Sequence, residues 1–180
     1  MPHKTRIEPY PRRKKLTVGK SSRKKRKRVS VAEFKRSWGI SPKGWMRYSG
    51  IKGIYWHYFS RSVRMRDYEE HDGLCMTCML YVDPHDAQGG HLLPARNCGF
   101  ALLFHPKNVH LQHSKCNNPR FTPDAGLRNG INIERRYPGL LTELFKLKEE
   151  KQKEWSKDEY QEKIKQLPAY QQRVLDQKNP

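Results

Sequence analysis

Two pairs of potential metal ligands constrain the fold of this chain more than any other feature. Cys75 and Cys78 are separated by two residues, as are His113 and Cys116, and 34 residues lie between the two pairs. Structural zinc sites use four thiolate or imidazole ligands in a tetrahedron, and a two-residue spacer lets both members of a pair reach one ion from a tight turn. The pattern therefore predicts a structural Zn2+ that joins two distant segments. The alternative is two pairs of buried or free thiols without a metal.

Two other residues of ligand type are weaker candidates for this site. Cys98 has no partner at a similar spacing, so we expect an ordinary thiol. His110 could compete for the metal, but only His113 has the two-residue spacing to Cys116. The N-terminus lacks the apolar stretch of a signal peptide, and no apolar run is long enough to span a membrane. We therefore expect a cytoplasmic protein, because cysteines in that reducing compartment bind metals more often than they form disulfides.

The charge of the chain indicates a polyanionic partner. The 180 residues carry a formal net charge of +19 and have a pI of about 10.0. Such a charge repels itself in a compact state unless a nucleic acid or a similar polyanion offsets it. Residues 1–30 hold thirteen basic residues and one acid without helical or strand periodicity, which predicts a disordered basic arm. We expect it to bind phosphates, although it could be a solubilising tail. Its densest run is Arg23, Lys24, Lys25, Arg26, Lys27 and Arg28.

The periodicity of apolar residues predicts an α+β chain of short elements. Residues 31–53 mix aromatic and basic side chains between glycines, and the rings could stack nucleobases or fill a small core. Helices are predicted over residues 54–66, 122–136, 140–152 and 156–167. Thr122 is the predicted N-cap of the second helix, and Ser156 opens a capping box at the start of the fourth. Strands are predicted over residues 91–93 and 109–111, and we expect a loose tail after Pro168.

Three polar residues near the metal-ligand pairs follow the order of an HNH nuclease. His91 follows two glycines, Asn108 precedes the second predicted strand, and Asn117 directly follows Cys116. Phosphodiester hydrolysis needs a base that deprotonates water, which a neutral imidazole supplies near pH 7. It also needs a divalent cation, which an oxygen-donating side chain can hold together with water. Taken alone, His91 could be an ordinary strand histidine, but the ordered set predicts a metal-dependent nuclease.

At these residues the sequence resembles the phage lambda NinG/Rap recombination endonuclease family, over roughly residues 54–139. The matching stretches are residues 60–67, Cys75 to Cys78, Gly90-His91, residues 108–112 and Cys116-Asn117. The layout is also similar to zinc-containing ββα-metal junction resolvases, in which an asparagine directly follows the last zinc cysteine and binds the catalytic Mg2+. The resemblance implies a small zinc-stapled ββα-metal (HNH-like) core with flanking helices. It also implies a structure-specific DNA endonuclease that acts on branched recombination intermediates, in the host cell of a phage or mobile element.

The resemblance assigns a role to each of the three polar residues. His91 would be the general base, and Asn108 would pin the loop that orients it. Asn117 would be a ligand of the catalytic cation, Mg2+ or Mn2+.

The sequence departs from related patterns at two positions. His113 stands where the family usually has cysteine, and zinc accepts either ligand. Gly90 stands where many HNH enzymes have an acid, although NinG-like proteins also tend to have glycine there. The second protein ligand of the catalytic cation is therefore unassigned, and the nearby acids Asp83 and Asp86 are candidates.

These features divide the chain into four segments and leave two other functions open. The segments are the arm (1–30), the aromatic and basic segment (31–53), the zinc-stapled HNH-like domain (54–139) and the C-terminal helices and tail (140–180). A non-catalytic zinc module could bind DNA or RNA through the same charge, but it would not need His91 together with Asn117. A ribosome-associated basic protein would explain the arm alone. Symmetric cutting of two strands would favour a homodimer.

Overall fold

The computed structural model describes residues 29–178, and the predicted arm with its run Arg23–Arg28 lies outside this range. Within the range the chain is α+β, as predicted, with seven α-helices and one two-stranded antiparallel sheet. No helix of the described part combines the length and apolarity needed to cross a membrane. The elements are α1 (Val31–Ser37), α2 (Gly50–Glu70), β1 (Ala87–His91), α3 (Gly99–Leu103), β2 (Val109–His113), α4 (Ala125–Arg136), α5 (Leu140–Glu149), α6 (Lys157–Gln166) and α7 (Pro168–Lys178).

Helix α2 is the centre of the fold, and it extends beyond the predicted range 54–66 at both ends. Its residues Tyr55, Trp56, Tyr58 and Phe59 point to different sides, and all four are buried. The first half of α2 is buried on most of its surface, and α6, α7 and both strands pack against the helix. Most aromatic residues near its start therefore fill the core, whereas Trp45 is 78% exposed.

The two strands pair in a register that sets the positions of the candidate site residues. His91 lies opposite Val109, and β1 runs over residues 87–91 rather than over the predicted 91–93. The predicted position was wrong because the Asn108 side chain forms hydrogen bonds with both the N–H and the carbonyl of Leu93. Its Oδ1 accepts from the Leu93 N–H (2.8 Å), and its Nδ2 donates to the Leu93 carbonyl (3.3 Å). These bonds turn the chain away from the sheet after Leu92, whose N–H still donates to the carbonyl of Asn108 (2.8 Å).

The outer edge of β2 is fixed by a buried carboxylate of α2. Asp67 is 1% exposed, and its Oδ2 accepts from the N–H of Leu111 (2.6 Å). Arg66 pairs with the same carboxylate (2.5 Å) and also donates to the carbonyl of Val109 (3.2 Å). The Leu111 carbonyl accepts from the N–H of Met76 in the first metal-ligand pair (2.9 Å). Helix α2, β2 and the first ligand pair are thus joined by buried polar contacts.

Helix α4 begins at Ala125, three residues after the predicted start. Thr122 is not its N-cap, because the Thr122 hydroxyl donates to the carbonyl of Lys115 (3.2 Å) and closes the loop after the second ligand pair. Asp124 occupies the N-cap position without a capping bond and pairs with Arg128 instead (2.6 Å).

The C-terminal segment ends in helix α7, which runs to the last described residue, Lys178. The predicted capping box at Ser156 is confirmed, since its backbone N–H and hydroxyl bond reciprocally with Glu159. The predicted loose tail after Pro168 is wrong, because this proline is the first residue of α7, a position that needs no N–H. The N–H of Ala169 donates to the Ser62 hydroxyl (3.1 Å) and fastens α7 to α2. Helix α5 ends at Glu149, three residues before the predicted end.

Candidate metal centre and adjoining clefts

The four predicted zinc ligands come together at one end of the sheet. The ligand atoms of Cys75, Cys78, His113 and Cys116 all lie within 4.8 Å of one another. Four ligands about 2.0–2.3 Å from one ion need separations of this order. The cluster could therefore hold a structural metal ion such as zinc.

Each ligand pair sits in a tight turn that its own backbone stabilises. The N–H of Cys75 donates to the carbonyl of Leu80, and the N–H of Met79 donates to the carbonyl of Cys75 (both 2.8 Å). Met79 adopts a φ of 59°, in the left-handed region, and so reverses the chain directly after the first pair. In the second turn the N–H of Asn117 donates to the carbonyl of His113 (2.9 Å). The turns aim both residues of each pair at one point.

The chemistry of the four donors fits a zinc ion. The Nδ1 of His113 faces the sulfur of Cys78 at 3.4 Å, and its Nε2–H donates to the carbonyl of Tyr81 (3.0 Å). A metal-bound histidine usually fixes its free nitrogen in this way. Burial and the neighbouring charge of Cys75 raise the pKa of Cys116 to about 12. A dication among the sulfur atoms would stabilise all three thiolates together.

The two weaker ligand candidates lie elsewhere. Cys98 is fully buried, and its thiol points at the carbonyls of Ala95 and Gly99, consistent with an ordinary thiol. His110 is buried on β2, where its Nε2–H donates to the carbonyl of Lys107 (2.8 Å). Neither residue contributes to the ligand cluster.

His91 is held at the end of β1 with one ring nitrogen free. Its Nε2–H donates to the carbonyl of Leu103 (2.9 Å), and its ring stacks on Trp56 with centroids 4.9 Å apart and planes at 10°. Its Nδ1 is buried and has no hydrogen-bond partner within residues 29–178. Burial lowers the pKa of His91 to about 4. The ring is therefore neutral at pH 7 and carries a lone pair on Nδ1, the form that a general base requires.

Asn108 bridges the segments on both sides of His91. Besides its two bonds to Leu93, its Nδ2 donates to the carbonyl of Leu102 (2.9 Å). Asn108 is fully buried. It therefore holds the loop after His91 against α3, whose last residue, Leu103, accepts the hydrogen bond of the histidine.

Three amide side chains gather around Gly90. A β-carbon at residue 90 would overlap Oε1 of Gln112 and would lie 2.7 Å from Oδ1 of Asn117. The Nδ2 of Asn117 donates to Oε1 of Gln88 (2.9 Å), which turns its own oxygen towards the glycine. Glycine at position 90 thus leaves room for two side-chain oxygens beside His91.

Two clefts meet at Arg47 and Asn117. The Trp45 cleft, of 430 Å³, lies between the start of α2 and β1. The His91 cleft, of 390 Å³, lies between the end of β1 and α4. Among residues 29–178, no acid lines either cleft and three arginines do: Arg47, Arg64 and Arg96. The surface around Asn117 is therefore suited to an anionic chain.

The two acids proposed as cation ligands line neither cleft. Asp86 accepts from the backbone N–H of Ser114 (3.3 Å), and hydrogen bonds from this serine lower the pKa of its carboxyl group. Asp83 is exposed and accepts from the N–H of His85 (2.8 Å). Asp86 therefore supports the second ligand turn, and Asp83 supports the loop that precedes β1.

Sequence reasoning assigned no individual role to three residues of the clefts. Arg47 lies 5.6 Å from the centre of the Trp56 ring, on which His91 also stacks. Arg64 donates to the carbonyl of Ala87 (2.9 Å) and so fastens α2 to β1. Gln112 is 2% exposed beside Gly90. Arg64 and Gln112 fall within the stretches that carry the family resemblance, which is the signal that could have singled them out.

A scan against protein-family models, a search of curated proteins and a search of solved structures each found no match to this chain.

Proposed function

We propose that this protein is a metal-dependent DNA endonuclease of the HNH type. The observation that carries the proposal is the state of His91, a neutral imidazole that lines a cleft together with Asn117 and whose buried Nδ1 has no hydrogen-bond partner within residues 29–178. A cleft without acids and with arginines at its rim suits a phosphodiester as the substrate.

His91 would act on the attacking water through Nδ1, which is buried in this structure and would have to open to the cleft when the substrate binds. As Nδ1 takes the proton, the bond from Nε2–H to Leu103 keeps the ring in place. The carbonyl of Leu103 and the face of Trp56 would both stabilise the positive charge that forms on the ring. A divalent cation held at Asn117, Mg2+ or Mn2+, would offset the charge that builds on the phosphate and on the leaving oxygen.

The structural zinc ion would position this site without taking part in the reaction. Cys75, Cys78, His113 and Cys116 supply four protein ligands, which is the number that closes a structural zinc site. Asn117 directly follows Cys116, so the second ligand turn fixes the backbone of the proposed cation ligand. Loss of zinc should therefore disable the active site through Asn117.

The Trp45 cleft supports a substrate with unpaired bases. Trp45 is 78% exposed beside Arg47, and Arg64 lines the same cleft. Exposed aromatic rings stack on bases that are not held in a duplex, while arginines bind the backbone. DNA branch points present such bases, in keeping with the recombination intermediates implied by the family resemblance. The basic arm would add sequence-independent affinity for phosphates.

Cleavage assays on matched DNA substrates test the proposal. Four-way junctions, flaps and linear duplexes of the same sequence are incubated with the full-length protein and Mg2+, Mn2+ or EDTA. We expect cation-dependent cuts near the branch point and slower cleavage of the linear duplex. Tight binding of all substrates without cleavage in either cation would contradict a nuclease and favour the non-catalytic zinc module.

A further inference from the structure

We propose that Gln112 is the second protein ligand of the catalytic cation. The site would then consist of two neutral amide oxygens, Oε1 of Gln112 and Oδ1 of Asn117, and no protein carboxylate. This inference rests on the proposed function, and it assigns the ligand that the sequence leaves open at Gly90.

The position of Gln112 relative to Gly90 is the first observation. In an HNH enzyme with an acid before the catalytic histidine, the side chain of that acid would start at the β-carbon of residue 90. Here that point overlaps Oε1 of Gln112 and lies 2.7 Å from Oδ1 of Asn117. An oxygen from β2 therefore occupies the space in which the missing side chain would begin. Residue 90 has to be glycine for both oxygens to fit.

The second observation is that the side-chain oxygen of Gln112 is available in the His91 cleft, because no group of residues 29–178 binds it. Its side chain is 2% exposed and lines the His91 cleft. The neighbouring amides are paired: Oε1 of Gln88 accepts from Asn117, and Oδ1 of Asn129 accepts from Thr77. Within residues 29–178 no donor is paired with Oε1 of Gln112. An amide oxygen that faces a cleft without a protein donor is available as a ligand for a cation.

The neutral ligands imply how the cation binds. Mg2+ prefers six oxygens at about 2.0–2.1 Å, and protein sites usually supply carboxylates together with substrate phosphates. With no acid lining either cleft, the two amides alone should bind Mg2+ weakly. The scissile phosphate would supply the missing negative charge. We therefore expect the cation and the DNA to bind cooperatively.

Cation titrations of Gln112 variants test the inference on the full chain. Gln112→Met keeps the length of the side chain but removes the oxygen, and Gln112→Glu supplies a carboxylate. The midpoint of the Mg2+ dependence of cleavage should rise at least about tenfold in Gln112→Met, in line with known effects of lost metal-site interactions. It should fall in Gln112→Glu. Gln152→Met, in the exposed loop after α5, controls for the loss of an amide elsewhere.

A binding measurement separates this inference from the proposed function. Electron paramagnetic resonance can follow Mn2+ binding to the protein–DNA complex whether or not the DNA is cut. Loss of bound Mn2+ in Gln112→Met supports the cation site even if no variant cleaves DNA. Wild-type cleavage with unchanged Mg2+ midpoints in both variants would overturn the role of Gln112 and leave the nuclease intact. If Gln112→Met does not fold, Gln112→Glu decides alone: a lower midpoint supports the inference, and an unchanged or higher one overturns it.

Discussion

The neighbouring glycines of β1 offer a matched pair of substitutions that should separate stability from cation binding. In Gly90→Ala the new methyl group meets the ends of two flexible side chains, Gln112 and Asn117, which can swing away. In Gly89→Ala it lies 3.1 Å from the β-carbon of Ser60, which is fixed to α2 and cannot rotate aside. Alanine at position 90 should therefore displace the amide oxygens. Alanine at position 89 should instead disturb the packing of α2 against β1.

The magnitudes follow from these contacts. Replacing glycine lowers the conformational entropy of the unfolded chain and so stabilises the folded state by about 0.4–1 kcal/mol. Overpacking destabilises the folded state by about 1–3 kcal/mol. We expect Gly90→Ala to change the free energy of unfolding by less than about 1 kcal/mol, and Gly89→Ala to lower it by about 1–3 kcal/mol. The Mg2+ midpoint for cleavage should rise at least about tenfold in Gly90→Ala only. Urea unfolding and Mg2+ titration measure both effects, and a wild-type midpoint in Gly90→Ala would refute the reasoning.

Three further predictions concern zinc, the arm and protonation. Elemental analysis should find about one zinc ion per chain, and Cys116→Ser should lose the ion and unfold the central region, since binding energy here is folding energy; an active, folded and zinc-free sample would contradict this. Deleting residues 1–30 should weaken DNA binding and flatten its salt dependence, while a short substrate is still cut at low salt; an unchanged slope would show that the arm makes no phosphate contacts. Because burial lowers the pKa of His91 to about 4, its ring should stay neutral as the pH falls from 8 to 5.5. The ring resonances of His91 in an NMR titration should therefore not move over this range, and a midpoint near 6.5 would indicate an ordinary solvated imidazole.

The features that sequence predicted well are fixed by residues close together in the chain. The two-residue spacing selected His113 over His110, and the ligand cluster agrees with that choice. The Ser156 capping box lies within one helical turn and formed as predicted.

The features that sequence missed depend on partners outside the predicted element itself. Thr122 has a side chain suited to an N-cap, but its hydroxyl donates to the carbonyl of Lys115 instead. Pro168 suits the first turn of a helix as well as the end of one, and the contact of Ala169 with Ser62 on α2 favours the helix. Periodicity cannot foresee either competition.

The surroundings of Gly90 were equally hidden. Gln112 lies on the other strand and Asn117 in the second ligand turn, so only the folded chain brings their oxygens to one point.

Single-turnover cleavage of a branched DNA by His91→Ala tests the central claim most directly. The matched control is His105→Ala, which removes a half-buried imidazole. The Nδ1 of His105 also has no hydrogen-bond partner within residues 29–178, but His105 lines neither cleft. General-base catalysis contributes about 10²–10⁴-fold, so His91→Ala should lose that much of the rate in Mg2+ while it keeps its zinc and its affinity for the DNA. His105→Ala should cleave at nearly the wild-type rate. Wild-type cleavage by folded His91→Ala protein would contradict the assignment of His91 as the base and, with it, the proposed mechanism.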